Sequence, residues 1–257
     1  MPTACLTRDA RRLATLCAVL GMAIPCALAG PPFRTDDPEP VEYQHWEVYG
    51  FSQATHVQGD TAGTLPGIEV NYGALPDLQL HVIAPVAFDA PSGSRPKFGY
   101  GDTELGLKYR FVDEDKDGWR PQIGIFPLFE APTGNAERGL GTGHGHAFLP
   151  VWLQKSFGPW VTYGGGGYWL NPGAGNKNYW FTGWLLQRQI TDALAVGGEV
   201  FRQSADRIGG HDSAGFNLGG IYDFTENYHL LFSAGRGLEN ASATNAFSYY
   251  LALQWTF

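Results

Sequence analysis

The sequence predicts an all-β protein, an antiparallel transmembrane β-barrel of about 12 strands with both termini on the periplasmic side. Three observations carry that prediction. Segments of roughly ten residues alternate apolar with polar side chains, as a strand between lipid and a polar lumen requires. The connections between these segments alternate between short and long. The chain is also rich in aromatics (14%), poor in charge (16%) and holds 35 glycines. Beyond residue 30 it offers no run of eighteen apolar residues, the minimum for a spanning helix.

Residues 1–29 read as a signal peptide. Arg8, Arg11 and Arg12 precede a short apolar stretch from Leu13 to Ile24, and Ala27-Leu28-Ala29 supplies the small-x-small cleavage pattern. All three cysteines (Cys5, Cys17 and Cys26) fall within this segment, so the mature chain has no disulfide available to staple it. The segment also holds three of the 17 basic residues and one of the 25 acidic ones, leaving a formal charge of about −10 on the remainder. Such acidity argues against nucleic acid as a partner, which calls for a basic face. Residues 30–44, rich in Pro and Asp, are expected as an extended periplasmic segment that either plugs the mouth of the barrel or hangs beside it. Residues 45–257 form the barrel.

Twelve strands are expected near 45–54, 65–73, 78–87, 99–111, 120–130, 146–157, 160–170, 179–190, 194–204, 213–224, 228–236 and 246–257. The last is the clearest. Phe247, Tyr249, Leu251, Leu253, Trp255 and Phe257 share one face, and Ser248, Tyr250, Ala252, Gln254 and Thr256 share the other. In the fourth, Leu105, Leu107, Tyr109 and Phe111 alternate with Glu104, Gly106, Lys108 and Arg110. Short connections follow the even strands and longer ones (55–64, 88–98, 131–145, 171–178, 205–212 and 237–245) follow the odd strands. A soluble sandwich has no reason to alternate its loop lengths in this way.

Few residues suggest chemistry. Asp113, Asp115, Asp117 and Gly118 imitate the start of a calcium loop, but its twelfth position is Gly124 instead of a glutamate, and Asp-Gly favours a turn. His144 and His146 lack a second cluster of ligands at metal-site spacing. Gly164 to Gly167 lack the lysine of a phosphate loop. No Gly-x-Ser-x-Gly turn occurs. No cofactor and no enzymatic activity are expected. The candidate solute path is the inward set Glu69, His81, Asp102, Glu104, Lys108, Arg110 and Glu199. The competing reading has these charges pair and hold the strands together.

Several stretches resemble a family of outer-membrane transporters named for the meta-pathway of phenol degradation. They are Phe33-Arg-Thr-Asp-Asp-Pro, His45-Trp-Glu, Gly101 through Phe111, Pro132-Thr-Gly, Gln154-Lys-Ser-Phe-Gly, Gly198-Glu199, Ser233-Ala-Gly-Arg-Gly and Leu253-Gln-Trp-Thr-Phe. The resemblance implies a barrel and supplies no catalytic or binding residue. The expected function is passive passage of small solutes, aromatic compounds or acids among them, through the outer membrane. The alternative is a closed barrel with a structural or adhesive role. Expected partners are outer-membrane lipids, a small solute, and the barrel-assembly machinery acting on the strand that ends at Phe257.

Overall fold

The computed structural model describes residues 31–115 and 117–257, so the expected signal peptide lies outside the described residues. Its strands are β1 (Trp46–Val57), β2 (Asp60–Leu75), β3 (Leu78–Asp89), β4 (Lys97–Tyr100), β5 (Thr103–Val112), β6 (Gln122–Ile125), β7 (Leu128–Ala131), β8 (His146–Phe157), β9 (Trp160–Leu170), β10 (Tyr179–Thr191), β11 (Leu194–Gln203), β12 (Ser213–Asp223), β13 (Tyr228–Glu239) and β14 (Phe247–Thr256). β4 and β5 both pair with β3, and β6 and β7 both lie between β5 and β8. Each couple is one interrupted strand, so the described residues form 12 staves. All neighbours are antiparallel, and β14 pairs with β1 over ten positions to close the barrel.

The two interruptions have local causes. Pro127 has no N–H to donate, so the fifth stave breaks at Phe126-Pro127. The fourth breaks at Gly101-Asp102, where the Gly101 N–H turns back to the Pro85 carbonyl at 2.9 Å and the Asp102 side chain is drawn off to a loop. Elsewhere the expected strands and the observed ones differ by a few residues, except at the first hairpin. There the expected loop 55–64 is a two-residue turn, Gln58-Gly59, with Gly59 at φ 88°. The run Thr61-Ala-Gly-Thr lacks large apolar groups and so carries little alternation, but it pairs residue by residue with Gln53 to His56.

The alternation sorts side chains as expected. On β14, Leu251 and Leu253 are 49% and 62% exposed while Ala252 between them is 2% exposed. Facing water, an apolar belt of this kind would be costly; it is the outward face that a lipid-embedded barrel presents. Aromatic pairs mark its rims. Trp46 stacks on Tyr72 and Trp255 on Tyr228 at the short-turn end, and Tyr168 meets Trp180 at the other end. Within the closed sheet, one edge of β4 apart, each stave's backbone groups find partners on its neighbours, which is what permits strands to cross a bilayer.

Candidate functional site in the lumen

The inward face divides into two halves. On β7 to β11 it is aromatic: Phe148, Trp152, Trp169, Tyr179, Phe181 and Phe201 form one buried cluster. On β2, β3 and β5 it is ionisable. The Asn71 amide donates to Glu69 Oε1 at 2.9 Å, His81 Nδ1 lies 2.6 Å from Asn71 Oδ1, and His81 Nε2 lies 2.9 Å from Glu104 Oε1. These residues sit on successive strands at matched register, Asn71 opposite His81 and Ile83 opposite Glu104, so the sheet itself assembles the chain.

Between the halves runs the segment 31–44. It enters at the short-turn end, where the Gln44 N–H meets the Gly73 carbonyl at 2.8 Å. It then rises and crosses the lumen. The Val41 N–H donates to Gln79 at 2.9 Å and the Gln154 amide to Glu39 at 3.0 Å. Lys108 Nζ on β5 bonds Asp36 at 2.9 Å and lies 3.4 Å from Asp37. Opposite, on β11, Glu199 accepts the backbone N–H of Arg34 (2.9 Å), that of Thr35 (2.7 Å) and the Thr35 hydroxyl (2.6 Å). The Ser233 hydroxyl on β13 donates to the Pro32 carbonyl. Phe33 packs on Tyr163 and Leu185, and the Arg34 guanidinium lies over Phe181 and Phe201.

The segment therefore lies across the lumen at mid-height and meets the sheet's backbone near its base, where Tyr43 bridges to Gly73. Apart from the main-chain contacts near its base, it is held by side chains. Burial pushes the Asp36 carboxyl above its ordinary value, and the Lys108 ammonium pulls it back only in part. Above the block lies a vestibule of about 1020 Å³, floored by Phe33, Arg34 and Tyr250 and walled by the long loops.

Of the seven residues expected to line a solute path, five lie in the lumen and are buried: Glu69, His81, Glu104, Lys108 and Glu199. The structure brings Glu69, His81 and Glu104 together, and gives Lys108 and Glu199 to the crossing segment. Arg110 sits at the short-turn mouth, paired with Asp77 at 2.6 Å and Asp113 at 3.1 Å. Asp102 stands apart at the break between β4 and β5, where it accepts the N–H of Gly134 and of Thr142. Sequence reasoning did not foresee Thr35 and Asp36 as partners of the wall, nor the inward aromatic cluster. The signal for the first was the Phe33-Arg-Thr-Asp-Asp-Pro motif itself. No aromatic on β8 to β11 is marked as inward by composition.

The architecture defines a class: an outer-membrane type β-barrel of 12 staves with its N-terminal segment folded into the lumen. A family model described as "Putative MetA-pathway of phenol degradation" matches residues 47–255, and the chain belongs to that family. Among solved structures it is similar to an outer membrane channel from Pseudomonas putida F1, with 15% identity, 86% of this chain and 98% of that chain covered, and a TM-score of 0.71. It is also similar to the NanC porin, with 10% identity, coverage of 82% and 98%, and a TM-score of 0.55. Likeness at these identities is likeness of fold. No curated protein sequence matches the chain.

Proposed function

We propose that this protein is a passive channel of the outer membrane for small solutes, aromatic compounds and acids among them, and that residues 31–44 are its internal constriction. The observation that carries the proposal is the vestibule of about 1020 Å³, whose floor is formed by Phe33 and Arg34 of the crossing segment beside Tyr250 of β14. A segment anchored mainly through side chains leaves the barrel wall intact when it shifts, so a path past it needs no strand to separate. Porin-like folds in the neighbouring structures and the family match support the same reading. Export by a cleaved segment 1–29, and assembly through the aromatic-rich β14, belong to it as well.

One observation favours a second reading. Lumen charges are paired, Lys108 with Asp36 and His81 with Glu104, as a closed structural barrel would have them. Solute flux into liposomes separates the two. Full-length mature protein and a variant lacking residues 31–44 are compared for sugars, amino acids and charged aromatic acids. The channel reading expects flux that rises in the shortened variant and differs between solute classes. No flux from either folded protein would leave the closed barrel.

A further inference from the structure

Every seam of the barrel wall is a ladder of backbone hydrogen bonds except one. β4 pairs with β3 on one side, from Val86 opposite Tyr100 to Asp89 opposite Lys97. Its other edge faces the loop 132–145. Among the described residues no backbone hydrogen bond joins 97–100 to that loop. An unpaired edge at the level of lipid-facing Phe98 and Tyr100, 53% and 50% exposed, is costly unless something covers it.

The cover is the loop itself, held by side chains. Leu140, 2% exposed, packs from inside on Gly99, where a Cβ would meet its Cδ1 at 3.0 Å. One carboxylate holds both arms of the loop: Asp102 accepts the Gly134 N–H at 2.8 Å, the Thr142 N–H at 2.6 Å and the Thr142 hydroxyl at 2.8 Å. Thr133 adds a bond from its hydroxyl to the Gly101 carbonyl at 2.9 Å. On the lumen side, Ala136, Glu137 and Gly139 wall the vestibule. A second, open groove is lined by Tyr100, Thr133 and Asn135 together with Glu137, Arg138 and Leu140. The span 136–140 is thus the partition between the vestibule and the membrane.

We propose that this seam is a lateral portal through which small uncharged aromatic or alkyl molecules pass between the vestibule and the outer leaflet, with loop 132–145 as its door and Asp102 as the latch. The proposal rests on the channel reading above and adds a route to it. The apolar class follows from the outward flanks of the seam, where Phe98, Tyr100 and Phe129 are 53%, 50% and 46% exposed. A charged solute gains nothing from that exit.

The test uses the absence of cysteine beyond residue 29. In the full chain, Gly99→Cys and Leu140→Cys place two thiols across the seam, to be bridged by a short reducible crosslinker. Entry of a lipophilic fluorescent dye, N-phenyl-1-naphthylamine, is followed in cells expressing the variant, and glycine and sugar flux is followed in liposomes. A portal predicts that crosslinking lowers dye entry to the level of cells without the protein, that reduction restores it, and that hydrophilic flux is unaffected. Asp102→Ala, which frees the latch, should raise dye entry. Dye entry that ignores the crosslink overturns the portal and leaves the channel reading standing. Should neither wild type nor Asp102→Ala admit more dye than cells without the protein, the portal is overturned, and hydrophilic flux separately decides the channel.

Discussion

Replacing Lys108 by methionine tests whether the crossing segment is held by a buried ion pair. The Lys108 ammonium bonds Asp36 at 2.9 Å with the two side chains 8% and 3% exposed, and lies 4.9 Å from the centre of the Phe126 ring. Methionine keeps the length and the ring contact and removes the charge. Taking one partner from a buried pair costs about 3–5 kcal/mol, because the other is left desolvated and alone. At about 1.4 kcal/mol per factor of ten, the ratio of docked to released segment shifts by roughly two to four orders of magnitude. The assay is trypsin cleavage after Arg34, a bond enclosed in the lumen while the segment is docked. Cleavage that samples transient release follows the released population, so it should accelerate by a comparable factor. Protonation reverses the effect. The Asp36 carboxyl, already raised by burial, docks more easily when neutral. Its contribution is fully present below the ordinary carboxylate range and is lost as pH rises through the docked value. Ion conductance of Lys108→Met across a planar bilayer should therefore be high at alkaline pH and fall on acidification, and Lys108→Met with Asp36→Asn should bring cleavage back toward wild type. Unchanged cleavage and conductance in folded Lys108→Met would refute the argument.

Other perturbations reach the same segment by different physics. Glu199→Gln replaces one acceptor oxygen by an amide, so either the Arg34 N–H and the Asn217 amide at Oε1, or the Thr35 N–H and hydroxyl at Oε2, lose their acceptor. The expected cost is about 1–3 kcal/mol, read as faster cleavage after Arg34 and a smaller change than Lys108→Met gives. Gly183→Ala introduces a Cβ where the Thr35 hydroxyl now sits, and should release the segment with no change of charge. Equal cleavage in Gly183→Ala and wild type would count against the close fit. At the short-turn end, burial raises the Glu114 carboxyl, but the Lys155 ammonium at 2.9 Å and the Ser156 N–H at 2.7 Å outweigh it and hold the group below its ordinary value. The turn's stability is then present at neutral pH and lost as pH falls through that lowered value. Protection of the Ser156 N–H, its exchange rate taken relative to that of an unstructured amide at the same pH, should fall in acid, and Glu114→Gln should remove the dependence.

The barrel was legible because lipid and lumen impose opposite demands on adjacent residues. Leu105, Leu107 and Tyr109 face out while Glu104 and Lys108 face in, and the sequence has to spell that alternation strand by strand. Where the demand weakens, the spelling does too. Thr61-Ala-Gly-Thr on β2 has no large group to place, so a strand was mistaken for a loop. The inward aromatics were hidden for a related reason: Trp152 and Trp169 obey the alternation but sit on its lumen side, and period two alone does not say which side is which.

The crossing segment obeys no period at all, because its partners are scattered around the barrel. Glu199, Lys108, Gln79 and Ser233 belong to four strands, and only closure of the sheet brings them around one segment. What the sequence does hold is the chemistry of the fit. Asp36 follows Thr35 so that a carboxylate meets Lys108 on one wall while a hydroxyl and two N–H groups meet Glu199 on the opposite wall. An acid on the segment answers a base on the barrel, and an acid on the barrel answers donors on the segment. Neither interaction uses the backbone of the wall, so the segment's hold can be weakened by single side-chain changes that leave the sheet's own hydrogen bonds in place. Loop 132–145 is fastened in the same manner, through the side chains of Asp102, Thr133 and Thr142. The crossing segment and this loop are thus both fastened mainly by side chains instead of by the ladder, and one borders the vestibule from below while the other borders it from the side.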